Sequence, residues 1–258
     1  MTPEVAQPDR LSLLGVRIVC HDARSLLSEI RELVNGGEHA LIPNVNAHCL
    51  NLAYENPWLL QFLNEAHSVY SDGAGVQLAA RLLDLPVPVR LTFADFIWEL
   101  GVFCQAHGFS LYFLGARPGI ADRAAAVLHE KLPELKIAGV HHGYFDKRKG
   151  SAENQRVVKE INGSRPSILI VGFGMPVQEA WLSENWYELD ANVGLTAGGF
   201  FDYLSGAVRR PPRWMTNNGL EWLGRLLIEP RRLWRRYLIG NPLFLWRVFG
   251  QRFRPTAS

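Results

Sequence analysis

Residues 203–258 contain no lysine; their positive charge comes from 11 arginines, set against two acids, Glu221 and Glu229. Cysteine is scarce too. Cys20, Cys49 and Cys104 are odd in number, widely spaced and form no C-x-x-C or zinc-like cluster, which points to a reducing cytoplasm. No stretch reaches the ~20 consecutive apolar residues that span a bilayer. The best C-terminal run, Pro242 to Val248, is short and broken by Arg247. The first residues, MTPEVAQPDRLSLLGV, lack the basic start and long apolar core of a signal peptide. A G-K-[ST] phosphate loop is missing, and Gly172-x-Gly174 has no third glycine at dinucleotide spacing, which argues against a dehydrogenase.

What the chain does have is segregated charge. It carries 27 basic and 25 acidic residues, so the +9 of residues 203–258 leaves residues 1–202 at −7. Between the arginines stand Trp214, Trp222, Leu226, Leu233, Trp234, Tyr237, Phe244 and Trp246. Cations beside apolar and aromatic groups suit an anionic lipid surface. They also suit phosphates and stacked bases, but the acidic body disfavours a nucleic-acid track. An amphipathic tail can equally bury its apolar face against a second copy of the chain, so a homo-oligomer stays open.

Hydrophobic content of 48% and charged content of 20% over 258 residues describe a folded chain with a sizeable core. Short β-rich runs alternate with helical periodicity, which predicts an α/β fold: a largely parallel, Rossmann-like sheet flanked by helices. Strands are expected at 16–19, 40–44, 68–71, 110–114, 137–141, 167–172 and 193–196. Helices are expected near 22–35, 47–65, 74–84, 93–107, 119–131, 151–163 and 177–187. After Leu204 the pattern changes at Arg209-Arg210-Pro211-Pro212, and amphipathic helices follow at about 214–228 and 230–239. The expected division is an α/β catalytic domain over 1–204 and a basic helical appendage over 205–258.

Ligands of open α/β sheets gather where strands end and helices begin. Asn44-Val45-Asn46-Ala47-His48 is such a place: Asn46 suits an N-cap, Asn44 a turn, and the two amides could also bind sugar hydroxyls. His48 is expected to pack or cap. Asp72, between a strand and a helix start with Gly73 and Gly75, is either a helix cap or a carboxylate facing a cleft that can take a proton from a hydroxyl. In VRLTFADF, Asp95 can cap or pair with Arg90, and Arg90 and Thr92 can instead meet an anionic group. LYFLGARPG and ILIVGFGMPVQEAW both run strand, glycine turn, helix, so N–H groups near Gly115, Gly172 and Gly174 suit a diphosphate, with Gln178 and Glu179 near the cleft mouth and Trp181 in the core. Tyr144 could stack on a base. Gly198 and Gly199 permit close backbone approach, and Asp202 can bind a ribose or uracil edge, or cap a helix.

NVNAHCLNLA, YSDGAGVQLAARLL, VRLTFADF, LYFLGARPG, GYF, VGFGMPVQEAWL, AGGFFDYLSG and EWLGRLLIEPRRLWRRYL, in that order across about residues 13 to 245, resemble the WecG/TagA/CpsF glycosyltransferases. The resemblance implies inverting, metal-independent transfer of a sugar from a UDP-sugar to a polyprenyl-diphosphate-linked saccharide acceptor at the cytoplasmic face of the inner membrane, with no cofactor. It implies that Asp72 is the catalytic base, with Asn46, Arg90 and Gln178 at the same centre and Asp202 at the nucleotide end. It also implies a tail packed over the site; Arg225, Arg231, Arg232, Arg235 and Arg236 are then candidates for lipid or diphosphate contact, and the mixed spacing of arginines and aromatics points to Arg232 or Arg225 turning inward. Family members often carry threonine where this chain has Asn44, and glycine where it has Phe93. No D-x-D pair is present, so arginines and backbone N–H groups would have to offset the charge of the departing diphosphate. The reading from a different class is a nonenzymatic module that binds UDP-sugar or anionic lipid, and loss of rate without loss of binding in Asp72→Asn separates the two.

Overall fold

A computed structural model describes residues 8–253. The first seven residues, part of the stretch read above for a signal peptide, and Arg254 of the arginine count lie outside the described residues. The chain runs through β1 (Arg10–Leu13), β2 (Val16–Val19), α1 (Ala23–Gly36), β3 (Ala40–Ile42), β4 (Asn44–Val45), α2 (Ala47–Glu55), α3 (Pro57–Glu65), β5 (Tyr70–Ser71), α4 (Ala74–Leu82) and α5 (Phe93–His107). It continues through β6 (Ser110–Gly115), α6 (Ile120–Lys131), β7 (Lys136–His141), α7 (Ala152–Ser164), β8 (Ile168–Gly172), α8 (Val177–Asn185), β9 (Val193–Thr196) and α9 (Phe200–Leu204). The tail holds α10 (Arg213–Asn217), α11 (Glu221–Ile228), α12 (Pro230–Trp234), a wide π-type turn over Arg235–Ile239, and α13 (Gly240–Arg252).

The architecture is α/β, as expected, but with two sheets where one was expected. A five-stranded sheet of order β3-β9-β8-β6-β7 is parallel throughout. A smaller sheet of order β1-β2-β5-β4 is parallel except for the β1-β2 hairpin, which the sequence reading missed. The expected strand 40–44 is divided between them. Pro43 has no N–H to donate, so the ladder that joins β3 to β9 stops there, and the next two residues pair with β5 in the other sheet. The expected helix 47–65 also breaks, because Asn56 is extended (φ −125°, ψ 101°) ahead of Pro57, which opens α3.

Residue alternation along the central strands separates two apolar layers. Leu111, Phe113, Ile168 and Ile170 face α1, α5 and α6, while Tyr112, Leu114, Leu169 and Val171 face the other way, toward a core shared with the small sheet and α2 to α4. Phe244 and Val248 of α13, one helical turn apart, are buried in that second layer. The expected helix 214–228 is interrupted at Asn218 to Leu220, and the helical path expected over 230–239 continues to Arg252. Polar bonds pin α13 to the body: the Asn51 amide donates to the Gly240 carbonyl at 2.7 Å, Arg247 bonds to Asn51 and Glu55, and Gln251 accepts from the Leu14 N–H at 2.8 Å.

Candidate active site

The carboxyl ends of both sheets converge on one cavity of about 1940 Å³, roofed by the tail. Strand register makes its centre. β4 and β5 pair Val45 with Ser71, so the residues that leave these strands, Asn46 and Asp72, emerge side by side, and the Asp72 N–H donates to the Val45 carbonyl at 2.8 Å. Asn46 caps α2: its Oδ1 accepts from the N–H groups of His48 and Cys49, both at 3.1 Å. Its amide nitrogen points to the Met175 sulfur, 3.7 Å away. Asn44 is buried and ties the sheets together, taking its N–H to Thr196 Oγ1 (2.9 Å) and its amide nitrogen to the Thr196 carbonyl (2.8 Å). Its Oδ1 has no protein partner.

Asp72 does not cap α4. The cap position belongs to Gly73, at φ 124°, and the Asp72 carboxylate accepts no hydrogen bond among the described residues. It lines the cavity instead. Burial pushes its pKa up to about 7, and Glu221 adds to the rise, against the pull of Arg225, Arg236 and Arg90. A carboxylate with that affinity for a proton and no internal partner is suited to general-base work near neutrality.

The cations around it come from body and tail. Arg90 lies 3.6 Å from Glu221 on α11 and does not pair with Asp95. Asp95 is instead gripped by Arg210 through two bonds of 2.6 Å, and the Thr92 hydroxyl also donates to it, so that Asp95 stays well ionised. Arg225 turns inward over the Tyr203 ring, 5.4 Å from its centre. Arg232 sits at the rim, 58% exposed and paired to Glu229 at 2.6 Å. Arg236, beside His48, is a second inward arginine, and the Nε atoms of Arg225 and Arg236 are buried without partners among the described residues. Burial, reinforced by Arg236, pushes His48 down to about 4, which leaves a neutral imidazole on the wall.

At the other end the glycines allow close approach. A Cβ on Gly115 would stand 2.4 Å from the Gly172 carbonyl oxygen, and one on Gly172 would meet Phe201 at 2.7 Å. The expectation that N–H groups at 115–116 and 172–174 await a diphosphate is not met at Ala116 and Gly174. The Ala116 N–H donates to Gly172 O (3.2 Å), and the N–H groups of Gly174 and Gly198 both donate to Gln178 Oε1, at 3.2 and 3.0 Å. Gln178 and Glu179 are fully buried, not at the cleft mouth, because α8 turns both toward the core. Gln178 staples two glycine loops, and its amide donates to Glu179 Oε1 at 2.8 Å. Burial pushes Glu179 up to about 7, and the Gln178 bond opposes this.

Of the residues singled out from sequence, Asn44, Asn46, Asp72, Gly73, Arg90, Thr92, Tyr144, Gly172, Gly174, Gly199, Asp202, Arg225 and Arg232 line the cavity, while Gly115 and Gln178 lie behind it. Asp202 does not cap α9, whose cap position is Gly199, and burial raises its pKa while Arg117 pulls it down. Three wall residues, His48, Arg117 and Lys147, were not put forward for substrate contact, whereas Arg236 was one of five tail arginines considered for lipid or diphosphate contact. Arg117 and Lys147 stand in or beside the quoted segments LYFLGARPG and GYF, and only the glycines and aromatics there were read. Among the described residues no group of three or more His, Cys, Asp or Glu side chains could hold a metal ion, and no helix is long and apolar enough to cross a membrane.

Comparison with known proteins matches residues 11–258 to the model of the glycosyl transferase WecG/TagA/CpsF family. Proteins of Staphylococcus aureus strains NCTC 8325 / PS 47, COL and MW2, each called N-acetylglucosaminyldiphosphoundecaprenol N-acetyl-beta-D-mannosaminyltransferase, are 28% identical to this chain over 207 residues, covering 80% of it and 78% of each relative.

Proposed function

The chain belongs to the glycosyl transferase WecG/TagA/CpsF family, and on that premise we propose that it moves a hexose or N-acetylhexosamine-type sugar from a UDP-sugar to a polyprenyl-diphosphate-linked saccharide. The acceptor class follows the relatives' activity. The donor class, inversion and metal independence are the reading this cavity supports best. The observation that carries it is Asp72: an unpartnered carboxylate on the cavity wall with its proton affinity near neutrality, ringed by Arg90, Arg225 and Arg236.

In the proposed step, an acceptor hydroxyl oxygen attacks the donor's anomeric carbon from the face opposite the diphosphate. Asp72 takes the hydroxyl proton, the C–O bond to the diphosphate breaks, and its electron pair leaves on UDP. One base suffices for one inversion. The departing charge falls among fixed cations, which stabilise it without having to reorganise. Exposed Trp234, Leu238, Trp246 and Phe253 beside tail arginines support work at the cytoplasmic face of the inner membrane, where a lipid-linked acceptor is reached without a spanning helix.

The test is incubation with a polyprenyl-diphosphate-linked sugar and a panel of UDP-sugars in EDTA, reading released UDP and product mass. Acceptor-dependent release, lost by at least about a hundredfold in Asp72→Asn as expected for removal of a general base, supports the reading. UDP-sugar binding without turnover of any donor would favour a binding module instead.

A further inference from the structure

Lys147 has an unusual setting for a lysine. Its ammonium donates to the Gly143 carbonyl and lies over two rings, 4.7 Å from the centre of Phe145 and 4.5 Å from that of Phe173. Those rings are themselves fixed. Phe145 and Phe173 each meet Trp181 edge-on, and the Trp181 N–H donates to Asn154 Oδ1 at 2.7 Å. The Asn154 amide in turn donates to Asn185 Oδ1 at 2.7 Å, and the Asn185 amide to the Trp181 carbonyl at 2.8 Å. A solvated lysine needs no such platform, and pinning its flexible four-carbon stem costs rotamer entropy.

Lys147 lines the cavity, and so does Arg117 from the neighbouring loop. The two loops are locked together: the Gly143 N–H donates to the Ala116 carbonyl at 2.8 Å, and a Cβ on Gly143 would meet Phe173 at 2.8 Å and the Gly115 Cα at 3.2 Å. Among the described residues, neither cation has a carboxylate within 4 Å. By contrast Arg90, Arg210 and Arg232 are all ion-paired. Two positive charges thus stand without a direct ion pair at the strand ends where β6 is flanked by β7 and β8, the point of the sheet at which the chain reverses its direction of winding, with Arg117 near enough to Asp202 to oppose the burial that raises that carboxyl's pKa. Of the nearby loop N–H groups, those of Ala116, Gly174 and Gly198 are spent on Gly172 and Gln178.

We infer that Lys147 and Arg117 are the body's binding site for the diphosphate of the nucleotide donor. This rests on the donor class proposed above. It divides the work in a reaction whose two substrates each carry a diphosphate: the body cations bind the nucleotide whether or not an acceptor is present, while Arg225 and Arg236 of the tail stand at Asp72, where the acceptor hydroxyl must come. Lys147 also accounts for one of the two aromatics that follow Gly143: Phe145, together with Phe173, holds the cation in place.

The experiment is calorimetric titration of the full chain and of Lys147→Met, Lys147→Arg and Arg117→Met with UDP and with uridine, alongside donor and acceptor KM. Lys147→Met and Arg117→Met are each expected to weaken UDP by about tenfold, the loss of one hydrogen bond to a charged group, with uridine affinity and acceptor KM unchanged and donor KM raised. Lys147→Arg, which keeps the charge, is expected to recover most of the UDP affinity. Unchanged UDP affinity in both Met variants overturns the assignment. Equal weakening of UDP and uridine also overturns it, since that marks a loosened platform and not a lost diphosphate contact. Failure of the unaltered chain to bind UDP would remove the proposed donor class, and this assignment with it.

Discussion

Asp72 and Asn46 work as a pair because each is the first residue beyond a strand, and parallel register sets the two strand ends level. Their placement was readable from local pattern, since strand, polar residue and helix start follow one another within a few positions. Their roles then diverge through chemistry. Asn46 satisfies the first turn of α2, whereas Asp72 cedes its cap to Gly73 and keeps a free carboxylate. With its pKa pushed up to about 7, Asp72 holds its proton below that pH, and as the proposed base it would act above it. We expect kcat/KM to rise with pH through about 7 and to fall about tenfold per unit on the acid side. A rate flat between pH 5 and 8, measured with saturating acceptor, would contradict this. Gln178 was not readable in the same way, because its partners Gly174 and Gly198 are named only by the direction in which α8 faces. The partner of Asp95 was equally hidden, since Arg210 lies 115 positions away in sequence.

Among the elements, α13 shows how an unremarkable pattern acquires a function from its surroundings. Only Phe244 and Val248 are buried along it, and Trp246 between them is 77% exposed. Nothing in the short apolar run Pro242 to Val248 says that the body offers a slot for two of its side chains. Phe244→Ala should cost about 3–5 kcal/mol in urea unfolding, by transfer and cavity together. Trp246→Ala should stay within about 0.5 kcal/mol, as for an exposed site. Equal effects of the two would mean that α13 is not seated in the core. The prolines tell the converse story. Pro43 and Pro57 were visible, and their local consequences follow from a missing N–H at Pro43 and from the extended backbone Pro57 imposes on Asn56, but the alternation around them resembled continuous elements. That a break at Pro43 hands the chain from one sheet to the other depends on which strands lie alongside.

At the scale of the whole molecule, the charge imbalance between body and tail becomes a division of surfaces. Some tail arginines turn to the cavity, and others, such as Arg213 and Arg231, remain exposed near Trp214, Leu227 and Trp234. We expect sedimentation with anionic vesicles, little with neutral ones, and weakening as salt rises. Arg231→Gln combined with Trp246→Ser should reduce vesicle binding several-fold while leaving UDP affinity unchanged. Salt-independent binding would rule out the electrostatic half of this account. By itself the sequence determined the α/β class, the family and the placing of Asn46 and Asp72 at strand ends, because alternation, strand-end chemistry and motif order are local properties of a chain. Tertiary structure alone decided that there are two sheets, that Gln178 is a staple, that Arg236 turns inward together with the expected Arg225, and that Lys147 and Arg117 reach the cavity at the strand ends. The physical reason is that charge pairing, burial and proton affinity depend on distances between atoms, and those distances exist only once remote segments have packed together.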